Sequence, residues 1–139
     1  MMPKIVLASH GLLSKGMKNS VEIIMGPTKN LEVVTAYIDD IDPEVEAERI
    51  MNNLNRNENL IVVTDLFGGS VNNVFLNYIN KENFYLISGM TLALVLQLLM
   101  IREDENIEEN ITRVIEETKD HIVLCNDLLR EYTEGEGEF

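Results

Sequence analysis

"LIVVTDLFGGS", Leu60 to Ser70, is the stretch on which the fold turns. Leu60 to Thr64 is apolar almost throughout, where a strand with one wet face would alternate. A strand buried on both faces reads this way, as in a parallel sheet covered by helices. Asp65 follows at once, and Gly68-Gly69 leads into a segment of helical pattern that starts at Ser70.

Working outward, the same strand–helix unit recurs. Ile5 to Ala8 is a short β-rich run. Leu13 to Met25 carries Met17, Val21 and Ile24 at helical spacing, with Ser14 as N-cap and Gly26-Pro27 as its end. Leu31 to Ile38 reads as the second strand. Asp42-Pro43 opens a second helix, a cap followed by proline at the first helical position, with Ala47, Ile50, Met51 and Leu54 on one face. Beyond Leu60–Thr64 the pattern predicts a helix over Ser70–Ile79, a strand over Phe84–Ser88 and helices over Leu92–Ile101 and Ile107–Thr118. The last has Ile107, Ile111, Val114 and Ile115 on one face, with Asn106 as cap and Glu109 completing a capping box. His121 to Cys125 reads as a short last strand. A polar tail follows from about residue 130, with "EGEGEF" as a frayed end. Four strand–helix units predict one α/β domain over residues 1–139. Its fold is an open, doubly wound parallel sheet with right-handed crossovers and helices on both faces.

Composition narrows the function. The 139 residues are 45% apolar, enough for a core. The formal net charge is −13, which argues against a nucleic-acid partner. From Arg102 onward there are 13 acidic and 4 basic residues, read as a solvated helix and tail that aid solubility. The single cysteine, Cys125, excludes an internal disulfide framework or a cysteine-built zinc site. No signal-peptide pattern opens the sequence. Met90 to Ile101, the longest apolar run, is too short for a bilayer and is interrupted by Thr91 and Gln97. The expected location is the cytoplasm.

Open parallel sheets bind ligands beyond the carboxyl ends of their strands, where strand order reverses. With order 2-1-3-4, a common solution for a chain of this length, that point lies between strands 1 and 3. It brings Ser9-His10-Gly11 beside Asp65 and the Gly68-Gly69-Ser70 turn. Taken singly, each has a plain reading: His10 a loop residue, Asp65 a turn-former, the glycines a tight turn, Ser70 a cap. Together they supply a histidine, a carboxylate to fix its tautomer, and backbone N–H groups for an anion. No GxGxxG fingerprint, Walker A lysine or carboxylate pair at metal-ligand spacing occurs. A serine nucleophile with His10 as base would have to be Ser70, Ser9 or Ser14, and none lies in a nucleophile-elbow pattern. The other option is that the imidazole of His10 is itself the nucleophile, taking a phosphoryl group whose oxygens a helix start holds without metal.

"VLASHGLLSKGMKNS", "VVTDLFGGSVNN" and "ISGMTLALVLQLL" resemble the IIA component of the mannose-family phosphoenolpyruvate:sugar phosphotransferase system, over roughly Lys4 to Asn126. The resemblance implies that His10 carries the phosphoryl group, that Asp65 bonds the ring nitrogen left unphosphorylated, and that Ser70 lies by the phosphoryl site with Gly11, Gly68 and Gly69. It implies a relay from phosphorylated HPr through His10, on Nε2, to a separate IIB component, then to a sugar entering through membrane IIC and IID components. No cofactor or metal is implied. It further implies a homodimer and a fifth, antiparallel strand at "HIVLC", His121 to Cys125, which dimers of the family can exchange; a strand returning to its own sheet is equally open. One departure is Gly89-Met90-Thr91, where many relatives have Gly-x-Asn; Thr91 can still cap the next helix. Leu12, Leu13 and Phe67 are expected to dock HPr and IIB, although Phe67 fits equally beneath the loop. His121 and the methionines read as structural. Three rivals stand beside this reading: a phosphoryl donor for dihydroxyacetone kinase, a module regulated by His10 phosphorylation, and a hydrolase using His10, Asp65 and Ser70.

Overall fold

The computed structural model describes residues 2–102 and 106–135. Four strands, β1 (Lys4–His10), β2 (Leu31–Ala36), β3 (Leu60–Thr64) and β4 (Phe84–Ser88), form one parallel sheet in the order β2-β1-β3-β4. Strand alternation sorts the apolar residues into two cores. Ile5, Leu7, Ile61 and Val63 face α1 (Leu13–Met25), α4 (Leu92–Leu98) and α5 (Ile107–Thr118). Val6, Ala8, Leu60 and Val62 face α2 (Pro43–Asn52) and α3 (Ser70–Leu76). All five residues of β3 are buried, as their unbroken apolar run requires.

The helix ends follow their chemistry. Asp42 accepts from Glu44 N–H with Pro43 in the first turn, Asn106 accepts from Glu109 N–H, and Thr91 accepts from Leu94 N–H. One expected cap is corrected. Ser14 lies inside α1, with Leu12 at the cap position. The Oγ of Ser9 accepts from Ser14 N–H (2.8 Å), and Ser14 Oγ donates to Val34 O (2.8 Å). A serine with no exposed surface cannot leave its hydroxyl unpaired, so this one ties α1 to β2.

The expected fifth strand over His121–Cys125 does not form: the described residues hold four strands. A 3₁₀ turn, Lys119–His121, follows α5, and a last helix, α6, spans Cys125–Gly135. Between them Ile122, Val123 and Leu124 stand exposed. An apolar, β-branched run needs a partner edge to become a strand, and these residues reach none in this chain. Residues 136–139 of the expected frayed end lie outside the described residues. No helix among the described residues is long and apolar enough to cross a membrane.

Candidate functional site

The carboxyl ends of β1 and β3 lie side by side, with Ala8 opposite Thr64 in register. His10, two residues past Ala8, projects on the same face and so toward α3. Gly11 (φ +59°) then turns the chain into α1, while its N–H continues the ladder to Ala36 O (2.8 Å).

Asp65, immediately after β3, receives two bonds from His10 at one oxygen. Backbone N–H and ring Nδ1 both lie 2.8 Å from Oδ2. Burial pushes the Asp65 carboxyl up, but the bonds from the His10 backbone and ring outweigh it and hold it below the usual aspartate range. Near neutral pH it is a carboxylate, which accepts only. In the neutral imidazole the proton therefore sits on Nδ1, and Nε2 keeps its lone pair. Ser70 Oγ lies 3.3 Å from that Nε2. Since Nε2 can only accept, the serine hydroxyl donates. The His10 side chain is 42% exposed and that of Asp65 11%, so the carboxylate is sheltered and the ring open to a reactant.

The loop between β3 and α3 is shaped to this ring. Gly68 has φ +76°, a left-handed conformation disfavoured for other residues. A Cβ on Gly69 would stand 3.3 Å from Leu66 O and 3.4 Å from His10 Cε1. Gly69 is thus needed for close approach, while its N–H, expected free for an anion, is engaged by Leu66 O (3.1 Å). The N–H of Gly11 is likewise taken. No side chain caps α3. Thr64 Oγ1 donates to Asn72 Oδ1 (2.7 Å) in the interior and fixes α3 against the end of β3.

His10, Asp65 and Ser70 thus meet here by direct contact, and Gly11, Gly68 and Gly69 shape the backbone around them, whereas Ser9 and Ser14 bond to each other and away from the ring. Phe67 is 81% exposed and so does not lie beneath the loop; Leu66, Leu12 and Leu13, at the same strand ends, are exposed as well. Sequence reasoning missed Tyr37. Its hydroxyl is 2.7 Å from Ser70 Oγ, and its ring centroid is 5.6 Å from that of His10. With the second strand read as far as Ile38, alternation puts Tyr37 on the α1 face. Strand β2 stops at Ala36, and Tyr37 takes φ +68°, which brings its ring back to the His10 side.

The model of the PTS system fructose IIA component family (EIIA-man) matches residues 4–115. A Klebsiella pneumoniae structure, described as a phosphoenolpyruvate-dependent sugar phosphotransferase system permease, is 34% identical with TM-score 0.87, covering 93% of this chain and 95% of that one. The PTS IIA protein associated with the fucose utilization operon of Streptococcus pneumoniae is 25% identical with TM-score 0.75, covering 93% and 97%. The mannose/sorbose specific IIA subunit from Enterococcus faecalis, 21% identical with TM-score 0.76 and covering 89% and 95%, shares the fold. A search of curated proteins gave no match. The chain belongs to the fructose/mannose-type IIA family of the phosphotransferase system, and with that membership it takes a phosphotransferase-system role.

Proposed function

We propose that His10 is a covalent carrier of phosphate between phosphorylated HPr and a IIB component, in the cytoplasm. The observation that carries this reading is the sequence of contacts Asp65–His10–Ser70. It leaves one imidazole nitrogen with a free electron pair, directed outward beside a hydroxyl donor.

In the forward step the Nε2 pair forms a bond to phosphorus as the bond from phosphorus to the donor imidazole breaks. The donor nitrogen leaves with that pair. Nδ1–H stays on His10, so no proton crosses the site. The His10 ring gains positive character, and the Asp65 carboxylate beside it offsets that charge. Ser70 Oγ and the first-turn N–H groups of α3 hold the phosphoryl oxygens. The step to IIB is the same displacement with His10 as leaving group. Its demands are alignment and charge placement, and the residues present supply both. The exposed rim of Leu12, Leu13, Leu66 and Phe67 is the docking surface for both proteins.

The protein works as a homodimer, a reading supported by two features: the exposed apolar segment Ile122–Leu124, and a β4 edge that pairs with no described strand. The membrane IIC and IID components are partners only indirectly: the phosphoryl group passes from IIB to the sugar that enters through them.

The test is labelling with radiolabelled phosphoenolpyruvate, enzyme I and HPr. One acid-labile, base-stable phosphate is expected per chain, absent in His10→Ala and discharged by a cognate IIB. Labelling of the His10→Ala protein would sink the assignment. A label that no IIB discharges would favour the regulatory role instead.

A further inference from the structure

We infer that Tyr37 is a positioning residue for this reaction: its hydroxyl fixes Ser70 as a donor toward whatever occupies the Nε2 side of His10. The inference rests on the reading of His10 as phosphate carrier, and it deepens that reading.

Proton directions along the chain of contacts are determined from one end. The Asp65 carboxylate can only accept, so His10 Nδ1 donates to it. Nε2 can then only accept, so the one proton of Ser70 Oγ points at His10. A hydroxyl that donates retains lone pairs to accept with. The Tyr37 hydroxyl, 2.7 Å from Ser70 Oγ, is therefore the donor of that pair. Every bond runs one way, from Tyr37 through Ser70 and His10 to Asp65. Without Tyr37, the serine hydroxyl can rotate toward solvent at little cost.

The backbone supports a role beyond packing. Tyr37 is a non-glycine residue at φ +68°, a left-handed conformation that L side chains adopt only at a cost. The residue is 57% exposed, so burial does not explain the strain. What the conformation achieves is to bring the phenol off the strand pattern and onto Ser70. The ring plane is tilted 35° from that of His10, and Tyr37 and Ser70 line one groove of about 610 Å³ together with Asp39, Asp42 and Asn73.

The consequence concerns both states of His10. In the free protein Ser70 donates to the lone pair that must attack phosphorus. Once the N–P bond forms, that pair is used. The same hydroxyl, still accepting from Tyr37, then needs only a small rotation to donate to a phosphoryl oxygen. Tyr37 thus holds one donor in place for two acceptors in turn.

The test uses Tyr37→Phe, which keeps the ring, together with Ser70→Ala and the double variant. Nitrogen NMR of the neutral His10 imidazole in the free protein needs no phosphate donor. The Nε2 resonance is expected to move toward that of an unbonded ring in both single variants, with no further move in the double variant. In single-turnover transfer from phosphorylated HPr, Tyr37→Phe is expected to be slower by about three- to tenfold, the scale of one hydrogen bond. Tyr37→Phe should add nothing on the Ser70→Ala background. An unmoved Nε2 resonance, or effects of the two substitutions that simply multiply, would overturn the positioning role even if His10 proves to carry phosphate. Failure of HPr to label the wild-type protein would overturn the carrier reading, while the NMR result still decides whether Tyr37 acts on His10 through Ser70.

Discussion

Replacing Asp65 separates the charge of the carboxylate from its geometry. Two donors of His10, its backbone N–H and Nδ1–H, converge on the single oxygen Oδ2, each at 2.8 Å. In Asp65→Asn the amide must present its carbonyl there, because its NH₂ would face a backbone donor that cannot move. The asparagine variant therefore keeps the His10 tautomer and ring direction and loses the charge, with its NH₂ in the buried place of Oδ1, which has no hydrogen-bond partner among the described residues. That charge acts on an imidazole that becomes positive during transfer. Charge centres about 4 Å apart interact by about 1 kcal/mol in water and about 4 kcal/mol at a partly screened site. The ring is 42% exposed, which places this pair toward the screened end. A loss of about 2 kcal/mol follows, roughly a thirtyfold slower transfer. Asp65→Ala also frees the ring and the tautomer, and is expected to be slower again by about tenfold or more. Rapid-quench transfer from radiolabelled phospho-HPr measures both, with thermal melts to establish that each variant folds. An asparagine variant as slow as the alanine one would refute the shared-acceptor reasoning. Transfer at the wild-type rate in Asp65→Ala would remove Asp65 from the mechanism, and in Asp65→Asn it would remove the charge contribution.

Gly69→Ala suits the backbone, but its Cβ would press on Leu66 O and His10 Cε1; melting should shift little while transfer slows severalfold, and unchanged transfer would show that the ring has room. Phe67→Ser removes an exposed side chain, so stability should stay within about 0.5 kcal/mol while KM for phospho-HPr rises; an unchanged KM would take Phe67 out of the docking surface. At Glu32, burial pushes the carboxyl up, but bonds from Arg49 and Lys4 outweigh this and hold it below its ordinary value. Its folded value lies below its unfolded one, so its contribution is complete above about pH 4.3 and is lost as pH falls through the folded value. Urea unfolding should show Glu32→Gln less stable than wild type at neutral pH and the gap closing as pH falls below about 4.3. A gap that widens on acidification would contradict the sign.

Much of this protein was legible along the chain because it depends on local pattern. The unbroken apolar run Leu60–Thr64 could only belong to a doubly covered strand, and Asp42-Pro43 and Asn106 cap helices wherever those helices go. The meeting of His10 with Asp65, 55 residues apart, was also within reach, because the strand order that unites them follows from the repeating unit. The misses have one cause. The segment His121–Cys125 has a strand's composition, but a strand exists only where an edge is reached, and composition carries no information about edges. Ser14 has a cap's chemistry, yet a strand packed above it offers Val34 O, and Ser9 takes over its backbone N–H. Tyr37 follows a strand-like run, and only the turn forced at the end of β2 reverses its side. Sequence alone determined the candidate groups and the strand ends that His10 and Asp65 occupy, since residue type and periodicity carry both. Only the tertiary structure decided which oxygen both His10 donors share, which way each proton points and which phenol stands behind Ser70, because those are settled by contacts between elements and by a single backbone angle.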